Sequence, residues 1–346
     1  MIEIDGSYGE GGGQILRTAL GLSCLLKKPF TIFNIRKHRS RPGLMPQHLT
    51  AVAAAKYIAD AEVSGDRPGS TELVFSPREV RGGELVLDVG TAGSTSLIIH
   101  TVLPALALSR KRAVITLKGG THVPFSPSFH YMAEVFAPML GRIGIETGLS
   151  IESYGFYPKG GGRVTVTVSP SGTLAPLIAR ERGSMRSVRG LSAVGGGLPR
   201  SIAERQRSSV FDRISGEKKL SCPLDIEIRE VPSYGQGTFV FLRAESEHAL
   251  AGFTALGARG KRAEAVGQEA ADELLRYHAA DAALDQHLPD QIVPYLAMCR
   301  EQSVFTTFCI TNHLMTNLWV IGLFHSFTYS VQGEIGMPGT VVIHEP

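Results

Sequence analysis

The sequence predicts an α+β fold in which a strand–helix unit recurs along the chain and a smaller α+β region interrupts it. Three observations carry this prediction. Strand-like and helix-like stretches alternate through the first half of the chain. Two apolar helical stretches, IHTVLPALAL and DQIVPYLAM, each hold an internal proline, Pro104 and Pro294, and the recurrence hints at an internal repeat. From about 180 to 276 the character changes: charge rises, and the stretch ends in a long polar helix, AEAVGQEAADELLRYH. A length of 346 residues suits two domains better than one.

The elements follow in order. The chain opens with IDGSYGEGGGQILRT, which has five glycines in the eight positions 6–13. Ile15, Ala19, Leu22 and Leu26 then fall at steps of four, three and four, one face of a helix. Residues 31–35 read as a strand. ELVLDVG (84–90) reads as another, and Ser94 or Thr95 suits the N-cap of the helix that follows, SLIIHTVLPALAL. AVITLKGG is a strand and YMAEVFAPMLGRIGI a helix. GFYPKGGGRVTVTVS is hairpin-like, with its turn at 158–162. In the tail, the helix in FCITNHLMTNLWVIGLF is apolar nearly all round and is expected to be buried. Leu314, Leu318, Ile321 and His325 share one face, Met315, Trp319 and Gly322 the next.

Bulk properties exclude little. Hydrophobic residues make up 43% of the chain and charged residues 19%, ordinary for a soluble globular protein. A net charge of +3 neither requires nor forbids a nucleic-acid partner. The four cysteines, Cys24, Cys222, Cys299 and Cys309, form no C-x-x-C pair, so a zinc or dithiol site is not expected. No run of about 18 apolar residues predicts a membrane span. No basic-plus-apolar leader precedes the glycine loop, and the expected location is cytoplasmic.

The opening loop matches neither familiar phosphate cradle. A Walker A loop would need a glycine where ALGARGKR has Ala255, and Arg262 follows Lys261. A Rossmann turn would need a third glycine where Gln14 stands after Gly9 and Gly11. Glycines still let backbone N–H groups approach an anion at a helix start, and a plain strand-to-helix turn explains the loop equally well. In NIRKHRSRPGLMPQH, Arg36, Lys37, Arg39 and Arg41 crowd within six positions, with His38 among them and prolines behind. Such a stiff loop of guanidinium forks suits phosphate, although a solvated basic loop is the ordinary alternative. Thr311 or Asn312 suits an N-cap, which sets His313 at a helix start. There the helix dipole disfavours imidazolium by up to roughly 2 kcal/mol. The ring is then neutral at pH 7, as a nucleophile or ligand must be. A structural histidine remains the open alternative. Glu10 and Asp290 are carboxylates suited to a divalent cation beside a polyphosphate, or to capping.

Taken together, DGSYGEGGGQILRTALGLS, RSRPGLMPQH, TAGST, GFYPKGGG, ALGARGKRAEAVGQEAA, LPDQ and TNHLMTN resemble the RNA 3′-terminal phosphate cyclase family over nearly the whole chain. The resemblance implies an α+β large domain of three repeated βαβαββ-type units, two helices on a four-stranded sheet each. It also implies a smaller α+β domain inserted after the third, with boundaries at 1–180 and 277–346 for the large domain and 181–276 for the insert. It implies ATP and a divalent cation (Mg2+ or Mn2+) as cofactors, and an RNA 3′-phosphate end as partner. By the same resemblance His313 is the nucleophile, adenylylated by ATP. The adenylyl group passes to the RNA 3′-phosphate, and the ribose 2′-oxygen closes a 2′,3′-cyclic phosphate. Glu10, Arg17, Arg36, Arg39, Gln47 and His48 fall around the phosphates. Asp290 and Gln291 fall near the nucleotide and metal, with Glu10 and Asp290 as metal candidates. Pro127 falls in the adenine pocket.

The sequence departs from the family in two places. His100 stands where a glutamine is expected, and His130 where an acidic residue is expected. Both bear on base contacts rather than on the reaction. Two relatives compete: non-catalytic cyclase-like ribosome-assembly factors, which lack the histidine, and enolpyruvyl transferases, which share the repeat architecture. The presence of His313, Arg36, Arg39 and Asp290 argues against the first, and the full motif set against the second.

Overall fold

The computed structural model describes residues 1–109, 111–215, 220 and 222–344. The first unit runs β1 (Ile2–Asp5), α1 (Gln14–Leu26), β2 (Phe30–Phe33), α2 (Pro46–Ile58), β3 (Glu62–Ser64) and β4 (Leu73–Ser76), with sheet order β1-β2-β4-β3. β1 and β2 are parallel, so a helix must carry the chain between them. The β2–β4 and β3–β4 pairs are antiparallel.

The second unit repeats that plan. It has β5 (Gly83–Asp88), α3 (Thr95–Leu108) and β6 (Ala113–Gly119). A helix follows as α4 (Phe129–Tyr131), a π-helical turn (Met132–Phe136) and α5 (Ala137–Arg142), and then β7 (Thr147–Ser153) and β8 (Gly162–Val168). Its sheet order is β5-β6-β8-β7, with the same parallel and antiparallel pairs.

The third unit starts at β9 (Ile178–Ala179). The chain then leaves it for β10 (Met185–Gly195), α6 (Arg200–Ser215), β11 (Leu224–Val231), β12 (Gly237–Ser246), β13 (Leu250–Leu256) and α7 (Ala263–Ala280). It returns with α8 (Leu288–Leu296), β14 (Ser303–Thr307), α9 (Asn312–Phe324), β15 (Tyr329–Gln332) and β16 (Gly339–Ile343), in sheet order β15-β16-β14-β9. The fourth sheet, β11-β10-β12-β13, therefore interrupts the third unit after its first strand rather than following it. The two-residue β9, paired with β14 across the whole insertion, was invisible to strand periodicity.

The helices lie inside and the sheets outside. α1 packs on α2, α3 and α9, while α8 packs on α9 and α3. α1 and α3 come close at Gly21, where a Cβ would stand 2.7 Å from the Thr101 carbonyl oxygen. Sheet strands such as β2, β6 and β8 alternate buried and open residues, the pattern of a sheet covered on one face. A separate apolar cluster including Val210, Leu242, Phe253 and Leu274 joins α6 and α7 to the fourth sheet.

Candidate active site

The glycine loop, the basic loop and the start of α9 converge. Asp5 fixes the first two to each other: its Oδ1 accepts from Ser7 N (2.9 Å), Ser7 Oγ (2.7 Å) and Asn34 Nδ2 (3.2 Å). Asn34 and Arg36 both take positive φ (55°), which is uncommon for residues with a side chain. Gly9 also has φ +55, and a Cβ there would meet Thr316 Oγ1 at 2.6 Å, so the loop lies directly on α9. The expectation that α9 is buried all round therefore needs correcting. Leu314, Leu318 and Ile321 are buried, Met315 and Trp319 are half-buried, and Gly322 is exposed. The loop covers that second face only partly, with Tyr8 stacked on Trp319.

Thr311 caps α9 by accepting from Leu314 N (3.0 Å), which sets His313 in the first turn. The His313 side chain keeps 49% of its surface, enough to be reached by a substrate. Gln14 orients it. The Gln14 Nε2 donates to the His313 carbonyl (3.0 Å), and its Oε1 meets His313 Nδ1. A carbonyl oxygen at Nδ1 assigns the proton there and leaves Nε2 bare when the ring is neutral. Glu10 Oε2 faces Nε2 at 3.1 Å. Burial, together with the charges of Arg17, His287 and Arg39, holds the imidazole below its ordinary pKa, while Glu10 opposes them.

His313 lies on the edge of a cavity of about 620 Å³. The cavity takes in Arg17, His100, Pro127, Asp290, Gln291 and His313 from the sequence-derived set. Burial lowers the Arg17 guanidinium to about 10, with Asp290 opposing, and Arg17 forms no ion pair within 4.0 Å among the described residues. Burial raises Asp290 to about 7; Asp285 adds to the rise, and His287 and Arg17 oppose it. Burial, with Arg17 beside it, lowers His100 to about 3. His100 Nε2 and Gln291 Oε1 are both buried, and a hydrogen bond to Gln291 opposes the lowering of His100.

The remaining predicted residues lie around this centre. Arg39 donates to the Glu10 carbonyl (3.4 Å). His48 is neutral, lowered to about 3 by burial and by Arg17 and Arg36, and its Nδ1 accepts from Met45 N (3.1 Å). A Cβ on Gly13 would stand 2.2 Å from His48 Nε2 and 2.8 Å from an Arg17 guanidinium nitrogen, so only glycine leaves room there. Arg36 turns back onto its own loop, donating to the Arg41 and Gly43 carbonyls (2.6 and 3.0 Å). Gln47 accepts from Ser94 N (3.0 Å) at the start of α3. His130 stands away from the cavity wall, between Glu134 and the Tyr154 hydroxyl.

Several site residues carried no signal in the sequence. Gln14 registered only as a missing glycine. His287 lines the cavity against Glu273 (3.4 Å) and is raised to about 9: burial works against the charged form, and Glu273, Asp285 and Asp290 outweigh it. Asn317 links Thr18 (2.7 Å) to the Asp290 carbonyl (2.6 Å). Among the described residues no group of three or more His, Cys, Asp or Glu is placed to hold a metal ion, so Glu10 and Asp290 do not form a ready-made cage. No helix among them is long and apolar enough to cross a membrane.

Three repeated units and the insert surround a cavity edged by an oriented, accessible histidine with Arg17 and Arg39 close by, an arrangement suited to a phosphate-handling enzyme. A family model described as RNA 3′-terminal phosphate cyclase matches residues 8–331. A protein of that name from Methylococcus capsulatus is 45% identical, over 99% of this chain and 96% of the relative. Those from Pyrococcus abyssi (41%; 99% and 98%) and Sulfolobus acidocaldarius (45%; 97% and 97%) are comparable. The chain belongs to the RNA 3′-terminal phosphate cyclase family.

Proposed function

We propose that this chain converts an RNA 3′-phosphate end to a 2′,3′-cyclic phosphate at the expense of ATP, with His313 as the adenylylated nucleophile. The observation that carries this reading is the His313 ring itself: Nδ1 is held by Gln14, and Nε2, facing Glu10 Oε2 at 3.1 Å, keeps its lone pair on an accessible side chain at the cavity edge. In the first step Nε2 attacks the α-phosphorus of ATP. An N–P bond forms, the bond to the bridging oxygen breaks and pyrophosphate leaves, while Nδ1 keeps its proton and goes on donating it to the Gln14 carbonyl oxygen. In the second step an RNA 3′-phosphate oxygen takes the adenylyl group and frees the histidine. In the third, the ribose 2′-oxygen attacks the activated RNA phosphorus, and AMP departs.

Arg17, half-buried and without an ion pair among the described residues, supplies charge for the transferring phosphate, and Arg39 supplies more from the rim. Gly13 supports the same reading, because the space a Cβ would fill lies between Arg17 and His48. His100 and Gln291 line the cavity with buried polar atoms, which the edge of a bound base would meet. Glu10 or Asp290 would hold a divalent cation, Mg2+ or Mn2+, only together with oxygens from a bound polyphosphate, since neither belongs to a protein cage among the described residues. A cation at Glu10 would also relieve the opposition of a carboxylate to the Nε2 lone pair, and its chemistry is neutralisation of phosphate charge.

We divide the chain into a large domain, 1–180 with 277–346, and an insert, 181–276; a separate apolar cluster supports the insert, and it runs on to Tyr277 because α7 continues to Ala280. Four free cysteines favour a reducing, cytoplasmic setting.

The test is incubation with α-labelled ATP and Mg2+ or Mn2+, then a denaturing gel. Acid-labile, base-stable label is expected on the protein and is expected to vanish in His313→Ala. Label that persists in this variant would put the nucleophile elsewhere.

A further inference from the structure

We propose that Tyr8, stacked on Trp319, is a platform for one of the last two bases of the RNA 3′ end, with the basic loop holding the backbone that leads to it. This rests on the cyclase reading above and goes beyond it to the way the substrate strand is gripped. The Tyr8 and Trp319 rings are 3.9 Å apart and 17° from parallel. With one face on the indole, Tyr8 still exposes 47% of its surface. A large aromatic ring left open in this way needs a reason.

Its neighbours indicate the occupant. Tyr8 lies two residues before Glu10, which touches the His313 imidazole. Trp319 lies six residues after His313 on α9, about 9 Å along the axis at 1.5 Å per residue. Six residues also turn the position by about 120° round the helix, so rise and turn together leave the indole one to two nucleotides from the reacting phosphate. Lys37, Arg39 and Arg41 lie on the adjoining loop, exposed, and with Arg36 they form no ion pair within 4.0 Å among the described residues. Elsewhere many arginines are paired with carboxylates, as Arg78, Arg163, Arg205, Arg213 and Arg229 are. Uncompensated cations beside an open aromatic ring are what a single strand requires: charge for the backbone, and a flat face that accepts any base. The platform is also rigid. Asp5 ties Ser7, next to Tyr8, to Asn34 at the root of the basic loop, and Gly9 seats the loop against Thr316.

The test is a cycle between protein and substrate. Wild-type, Tyr8→Leu and Tyr8→Phe proteins are assayed for cyclisation of 3′-phosphorylated oligoribonucleotides that are intact, or abasic at the last or the penultimate nucleotide. Self-adenylylation of the wild type is measured alongside. Tyr8→Leu is expected to lose roughly 5- to 150-fold in kcat/KM for intact RNA, the range of one base–aromatic stack, and Tyr8→Phe little. Wild type should lose a similar factor with one of the two abasic substrates. On that substrate Tyr8→Leu should lose nothing further. Equal loss by Tyr8→Leu on intact and abasic RNA overturns the platform, as does a wild type indifferent to both abasic positions, an arm that does not depend on any variant folding. A rise in KM for ATP in place of RNA would assign the ring to the nucleotide and overturn it too. A wild type that does not self-adenylylate would instead sink the cyclase reading itself.

Discussion

At the scale of single residues, the site is governed by groups forced away from their ordinary ionisation. Asp290 is the clearest case, because burial raises it to about 7 from the usual carboxylate range near 4. The folded protein therefore holds this proton more tightly than the unfolded chain does. Between about pH 4 and pH 7 the unfolded state has lost the proton and the folded state has not, so the contribution of Asp290 to stability falls as pH rises through that window. It is fully present below about 4 and gone above about 7. Asp290→Asn removes the titration. Unfolding midpoints at pH 5 and pH 8 should accordingly differ less in the variant than in wild type, with the variant gaining relative stability at the higher pH. An unchanged difference between the two pH values would show that Asp290 is ordinary in the folded state.

At the scale of elements, the sequence was most legible where a single stretch carries its own instruction. Ser94 and Thr311 are the N-caps their positions suggested, each accepting a backbone N–H three residues on. The strands near 31–35 and 84–90 form within a residue or two of those limits. The surroundings of α9 were harder to read, because the loop that half-covers its Trp319 face comes from the first residues of the chain. The Thr311 cap matters beyond helix stability, since it fixes the turn that carries His313. Thr311→Ala is expected to cost about 1 kcal/mol of stability and to slow formation of the labelled histidine, with Thr311→Ser restoring most of both. Denaturant titration and the α-labelled ATP assay check the pair. An alanine variant as stable as wild type would mean that the cap hydrogen bond contributes nothing.

At the scale of the whole molecule, recurring prolines and a change in charge hinted at a repeat and an insert, and the resemblance implied three units, whereas the residues that join them gave no signal. Gln14 and His313 are 299 positions apart, and no local spacing marks either as the partner of the other. Asp285 is the most consequential of these silent residues. It is fully buried, and its carboxylate accepts from the Tyr131 hydroxyl (2.8 Å) in the second unit and from Gly252 N (3.1 Å) in the insert. It also accepts from His287 N and Leu288 N (2.8 and 2.9 Å) at the start of α8 in the third unit. One side chain thus gathers three parts of the molecule and aims the helix that bears Asp290 and Gln291. Asp285→Ala orphans buried donors that each cost about 1–3 kcal/mol when unpaired, so a loss of at least about 3 kcal/mol is expected. The three parts should also come apart in sequence. The single tryptophan, Trp319, reports on α9 in the third unit, while circular dichroism averages over every helix and sheet. In wild type the two signals should change together with denaturant, and in Asp285→Ala they should separate as the insert loosens from the units around the cavity. Coincident transitions with a loss below about 1 kcal/mol would show that water can replace this carboxylate, and that packing alone holds the insert against the site.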